Sequence, residues 1–355
     1  MGDVAGRGGG AASQAYLPAN AHVPTEETDM RRVPFSMAAA AAMTTALTAG
    51  AAQAQDGCDG VTITEMDWAS ASIVTNVATF LMEQGYGCDV TVVPSATTPA
   101  MVSVAETGEP DIVTEVWPNG NPGYDALSEA GAITTVAEVL SDGSRQGWYV
   151  PTYLLEAHPE LATLQGVLDN PDLVGGRLHS CPDGWACRYS TEALARAAGL
   201  EEAGIEVFQH GSGETLAASM ASAVENGEPW LGYYWEPTGL IGKYDMTLID
   251  LGDYDEATFD CNQDPDCEED GVTAYPSTPV LTVVTTTFGE EHPDLMALLE
   301  KVQFTNAEMG DVLAWQEENG ASPEEAAVYF LTTYSDVWQG WVNEEARANL
   351  AALIE

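Results

Sequence analysis

Positive charge is what this chain lacks most. Ten Lys and Arg stand against 56 Asp and Glu in 355 residues, a formal net charge of −46. Only two lysines occur, Lys243 and Lys301. Nucleic acids and anionic membranes are recognised by clustered Lys and Arg, so the balance argues against both as partners. Histidine is also scarce: His22, His158, His179, His210 and His292 are scattered, and His158 and His292 each precede a proline. There is no HExxH, no P-loop and no GxSxG, and Ser212 sits in Gly211-Ser212-Gly213, a different spacing. No CxxC pair exists, which argues against a zinc site. The sequence therefore offers no catalytic set, and a non-enzymatic role is expected.

What is present is a globular composition. Hydrophobic residues make up 45% and charged residues 19%, which excludes a disordered acidic chain, and the length suits two lobes each with a core. So one-sided a charge reads as adaptation to salt, which screens self-repulsion; an ordinary acidic exported protein is the alternative. Residues 1–29 are rich in Gly and Ala and without periodicity, and are expected to be a non-native extension before a true start at Met30. Arg31 and Arg32, an Ala-rich apolar run and Ala52-Gln53-Ala54 together read as a secretory signal peptide, expected over 30–54. The mature protein is expected to begin near Gln55 and to reside in the periplasm. No later stretch is apolar and long enough to span a bilayer.

Six cysteines in an exported chain suggest disulfides, and six allow 15 pairings. The close pairs Cys181/Cys187 and Cys261/Cys267 make local bridges the simplest arrangement, leaving Cys58 with Cys88. Strand-like runs at 61–65, 89–93 and 111–116 alternate with helix-like stretches, and Ile73, Val77, Phe80 and Leu81 share one helical face. The rhythm repeats after about residue 150, with strands at 177–179, 205–208 and 231–235 and helices at 191–198 and 214–224. A further strand is expected at 280–288, and from His292 onward the pattern is helical. This predicts an α/β protein of two lobes, each a mainly parallel sheet flanked by helices, with a helical C-terminal segment. Lobe 1 is expected over 55–148, completed by 276–355, and lobe 2 over 149–275. A ligand would lie between the lobes, at the C-terminal ends of the strands.

Four of the nine tryptophans occupy such places. Trp68 follows the first strand, Trp117 ends the third, Trp185 lies between Cys181 and Cys187, and Trp235 ends the 231–235 strand. Indole faces suit a methylated ammonium, which cannot be held by hydrogen bonds. Each face contributes roughly 0.5–2 kcal/mol, so four bring micromolar binding, about −8 kcal/mol, within reach. For any single tryptophan a core role is the simpler reading.

Asp111–Tyr124 (DIVTEVWPNGNPGY), Ser180–Cys187 (SCPDGWAC), Gly232–Pro237 (GYYWEP) and Trp338–Glu345 (WQGWVNEE) resemble the glycine betaine-binding proteins of osmoprotectant ABC importers. The likeness spans nearly the whole mature chain. It implies a two-lobed periplasmic substrate-binding protein that hands a small ligand to ABC permease subunits, needs no cofactor and acts as a monomer. It also implies a tryptophan box at Trp117, Trp185 and Trp235, with the Ala186 and Cys187 amides holding the ligand's oxygen end. The start of a helix, with its free N–H groups, suits that task.

Two features bear on the ligand. Where some members of the family carry a carboxylate-binding histidine, this chain has Asn121. Glu115, two residues before Trp117, is expected on the same strand face. There it would balance a cation's charge or share a proton with an N-oxide, which resembles the trimethylamine N-oxide-binding branch; glycine betaine and choline are the alternatives. The Asp260–Asp270 stretch (DCNQDPDCEED) reads as an acidic surface loop. A calcium-stabilised loop is the alternative, although the sixth position counted from Asp264 is Glu269 where an EF-hand needs Gly.

Overall fold

The computed structural model describes residues 58–119 and 121–354. The expected extension and signal segment lie outside the described residues. No helix among the described residues is long and apolar enough to cross a membrane.

Ten strands form two five-stranded sheets. The first contains β1 (Asp59–Met66), β2 (Asp89–Ser95), β3 (Ile112–Val116), β4 (Ile133–Glu138) and β10 (Leu281–Thr285), in the order β2-β1-β3-β10-β4. The second contains β5 (Arg145–Pro151), β6 (Arg177–Ser180), β7 (Glu206–Gln209), β8 (Gly232–Glu236) and β9 (Met246–Leu248), in the order β7-β6-β8-β5-β9. In each sheet two pairings are parallel and two antiparallel, so four strands run one way and one, β10 or β5, runs against them.

Each sheet is thus mainly parallel, as expected, and is made mixed by a single reversed strand. The reversed strands, β10 and β5, each arrive from the chain of the other lobe. β5 straddles the boundary expected at 148/149, yet all of it pairs within the second sheet. Its Gly147 and Pro151 hide it from pattern reading, although it is buried from Gln146 to Pro151. The two crossing segments meet where Ser144 donates from its N (3.1 Å) and its Oγ (2.8 Å) to the Thr278 carbonyl. The strand expected at 280–288 stops at Thr285. There the Thr285 hydroxyl accepts from the Phe288 N–H (3.3 Å) and starts the Thr286–Glu291 helix.

β1 and β3 are joined by side chains as well as by their ladder. Asp111 Oδ2 accepts from Thr62 N (2.8 Å) and Oγ1 (2.7 Å), while Thr62 Oγ1 accepts from Asp111 N (2.8 Å). β3 is buried along its whole length, the position of a central strand covered on both faces. C-terminal helices close the first sheet. Their Phe330, Trp338 and Trp341 pack with Phe304 against Ile63, Val77 and Val284. The WQGW tryptophans are therefore core residues, as are Trp148 and Trp230 of the second lobe.

Candidate functional site

The strand ends of both lobes converge on one small cavity. β1 stops at Met66, and Trp68 opens the Ala69–Phe80 helix. β3 delivers Trp117, and β8 delivers Tyr233 and Trp235. β6 ends at Ser180 and runs into the Cys181–Cys187 loop, which carries Trp185 and opens the Cys187–Ala198 helix. These residues, with Thr97, Asn119, Gln146, Ala186, Cys187 and Gln263, line a cavity of about 40 Å³. One water-sized group needs roughly 10–15 Å³ on this measure, so the space suits three or four such groups.

Trp185 is the centre of the aromatic wall. Its ring stands edge-on to Trp68 (5.4 Å, 73°) and to Trp235 (5.2 Å, 81°). Its Nε1 donates to Asp67 Oδ1 at 2.6 Å, from the second lobe to the first. Burial pushes the Asp67 carboxyl above its ordinary pKa, and the Trp185 bond opposes that shift. The loop itself also crosses to the first lobe: the Gly184 carbonyl accepts from Thr98 N (2.9 Å). Gly184 has φ +89°, and a Cβ there would lie 3.2 Å from Ala96 Cβ, so both its conformation and its contact favour glycine. Gly213 is needed for space alone, since a Cβ would stand 2.7 Å from the Asp67 carbonyl oxygen and 2.8 Å from the Trp185 ring.

Glu115 and Asn121 are not on the cavity wall. Glu115 has φ +49°, which breaks the alternation expected along a strand. Its side chain is fully buried behind Trp68, whose Nε1 donates to Glu115 Oε2 at 2.5 Å, beside Ser70 Oγ at 3.0 Å. Oε1 has no partner. Burial raises the Glu115 pKa to about 7, against the lowering effect of the two hydrogen bonds. Glu115 thus touches the cavity only through the Trp68 indole, which it anchors. Asn121 caps the Pro122–Glu129 helix, its Oδ1 accepting from Tyr124 N at 3.1 Å.

The Ala186 and Cys187 amides stand at the helix start and meet no backbone acceptor among the described residues. All three expected disulfides, Cys58–Cys88, Cys181–Cys187 and Cys261–Cys267, are formed. No group of three or more His, Cys, Asp or Glu side chains is placed to hold a metal among the described residues, the Asp260–Asp270 stretch included.

Sequence reasoning missed Tyr233, Gln146, Thr97, Asn119 and Gln263. Tyr233 was legible as the residue two before Trp235 on one strand, hence on the same face. The Tyr233 hydroxyl donates to Gln146 Oε1 at 2.6 Å, and Gln146 Nε2 donates to Thr278 Oγ1 at 3.1 Å. That chain ties the cavity to the crossing segments. A larger hollow of about 560 Å³ lies beside the first and shares Trp68 and Trp235 with it. Ala217, Ala218 and Ala221 are among its lining, and of the two it is the smaller cavity that gathers four indoles.

Two α/β lobes with an aromatic cavity at their facing strand ends define a substrate-binding protein. The chain belongs to the family described as the substrate-binding domain of ABC-type glycine betaine transport systems, whose model matches residues 59–333. Proteins of this family bind solutes for import and are not enzymes. The chain is 24% identical over 301 residues to the trimethylamine N-oxide-binding protein of Pelagibacter ubique (strain HTCC1062), covering 82% of this chain and 93% of that one. Among solved structures it shares its fold with an ABC-transporter choline-binding protein in complex with choline (TM-score 0.68, 18% identity, 83% of this chain and 98% of that one). It also resembles lactococcal OpuAC closed around glycine betaine (TM-score 0.63, 20% identity, 80% and 99%).

Removing the Cys181–Cys187 bridge by paired serine substitutions is expected to lower ligand affinity at least about tenfold while the protein still folds. A bridge this short contributes only about 2 kcal/mol to folding, but it aims Trp185 and the two amides. Calorimetric titration beside thermal melting checks this; unchanged affinity would show that the loop holds its shape without the bond.

Proposed function

We propose that this protein captures a small methylated amine, trimethylamine N-oxide in first place, between its lobes in the periplasm and delivers it to an ABC importer. The observation that carries the reading is the wall of Trp68, Trp117, Trp185 and Trp235, with Tyr233, around a cavity of about 40 Å³. Indole faces stabilise a methylated cation most strongly where water is excluded. The Ala186 and Cys187 amides would take the ligand's oxygen. Glu115 would act through Trp68, holding the indole and adding negative potential behind it.

The choice among methylated amines is supported by charge. The lining contains no Lys, Arg or His, so nothing basic would pair with the carboxylate of glycine betaine. The Pelagibacter relative's ligand supports the same choice. Glycine betaine and choline, bound by the two structural neighbours, are the alternatives. A calorimetric panel of trimethylamine N-oxide, glycine betaine, choline and carnitine is expected to rank the N-oxide first, with micromolar or tighter affinity. Tightest binding of carnitine, or of none, would refute the reading.

A further inference from the structure

The Asp260–Asp270 stretch is strongly acidic, yet two of its residues face inward. Asn262 and Gln263 are each 3% exposed. Asn262 clasps the segment: its Nδ2 donates to the Gly271 carbonyl (2.8 Å), and its Oδ1 accepts from Gly271 N (3.0 Å). With the Cys261–Cys267 bridge, this holds the end of the Glu256–Gln263 helix in one place. Gln263 is thereby set into the cavity wall.

The orientation of its amide is chemically determined. Gln263 Nε2 faces the Asn119 carbonyl across the cleft at 3.4 Å; reversing the amide would set two carbonyl oxygens against each other. Gln263 Oε1 is then left buried with no partner. A buried acceptor without a donor is a cost that folding by itself does not recover. An oxygen on an aromatic wall complements the positive charge that a methylated ammonium spreads over its methyl hydrogens, and it accepts from a hydroxyl. It repels a carboxylate.

We propose that Gln263 is a ligand-contacting, specificity-determining residue, and that the disulfide-closed acidic segment serves to hold its carboxamide in the cavity wall beside the bound cation. This rests on reading the cavity as a methylated-amine site.

Gln263→Leu keeps the approximate volume and removes the polar atoms. It is expected to weaken binding of trimethylamine N-oxide and choline by about five- to tenfold, while the melting temperature of the ligand-free protein stays the same or rises. Gln263→Glu strengthens the acceptor and is expected to raise the ratio of choline to glycine betaine affinity by about tenfold or more. Replacing Cys261 and Cys267 together by serine should reproduce the loss seen with Gln263→Leu. A lowered ligand-free melting temperature with all affinity ratios unchanged would assign Gln263 a purely structural role and overturn the proposal. Unchanged affinities in both Gln263 variants, with a normally binding parent protein, would overturn it and leave the cavity reading intact. A parent protein that binds none of the three ligands would overturn both.

Discussion

Trp185→Ala is expected to weaken binding of the methylated amine at least about thirtyfold. That corresponds to losing about 2 kcal/mol of water-excluded cation–π contact, and three further losses act in the same direction. Trp185 stands edge-on to both Trp68 and Trp235, so its removal frees two other walls of the cage. Its Nε1 bond to Asp67 (2.6 Å) joins the lobes, so closure around the ligand loses a direct link. Water also gains entry, which weakens the remaining aromatic contacts. The fold should survive at a lower melting temperature, because the main packing of each lobe lies elsewhere. Trp185→Phe retains a ring face without the Asp67 bond and should fall between the two. Normal binding by both Trp185→Ala and Trp117→Ala would show that the ligand lies outside this cavity.

Replacing Glu115 should change the pH dependence of stability. With a folded pKa near 7 and an ordinary value of 4.5, the folded chain keeps a proton there that the unfolded chain releases. The folded state is therefore favoured most below pH 4.5, loses ground as pH rises to about 7, and then loses no more. The difference amounts to as much as about 3 kcal/mol. Glu115→Gln carries no such proton. Its stability relative to the parent should rise across that window, and its oxygen can still accept from the Trp68 Nε1, so affinity for the N-oxide should stay within a few-fold. Glu115→Ala leaves the Trp68 Nε1 and Ser70 Oγ without their acceptor, each at about 1–3 kcal/mol, and should lose both stability and affinity. Denaturant unfolding of the three proteins between pH 4.5 and 8, with titrations at each pH, provides the test. A constant stability difference between parent and Glu115→Gln would mean that the carboxyl is ionised throughout. Unchanged N-oxide affinity in Glu115→Ala would mean that anchoring Trp68 has no bearing on binding.

Much of the site was legible in the linear sequence because local chemistry dictates it. A tryptophan directly after a strand, or in a seven-residue loop that follows one and is closed by two cysteines, stands at a strand's C-terminal end, and the C-terminal ends of parallel strands in one sheet face one way. The same local reasoning failed at Glu115. Period-two alternation assigns it to the face of Trp117, but its positive φ turns it behind Trp68, and no propensity of glutamate announces that. It failed again at Gln263, where an acidic, cysteine-bracketed stretch looks wholly solvated. Two inward side chains in such a stretch follow from the Asn262 clasp on Gly271 and from the approach of Asn119, a residue far away in the chain.

Composition, charge and the spacing of apolar residues pointed without further help to a two-lobed α/β protein, while its role as a binding protein was legible from the placement of its tryptophans and from motifs that resemble a known family. Those properties depend on residue type and on short-range periodicity. Tertiary structure alone decided that β5 and β10 cross between lobes and make both sheets mixed, because strand order depends on which hydrophobic edges meet after collapse. It also brought the four tryptophans singled out by their strand-end positions onto one cavity, and packed others, such as Trp148, Trp230, Trp338 and Trp341, into the cores. An indole is equally stabilised by packing in a core or by enclosing a cation, so its role is determined by what surrounds it in three dimensions.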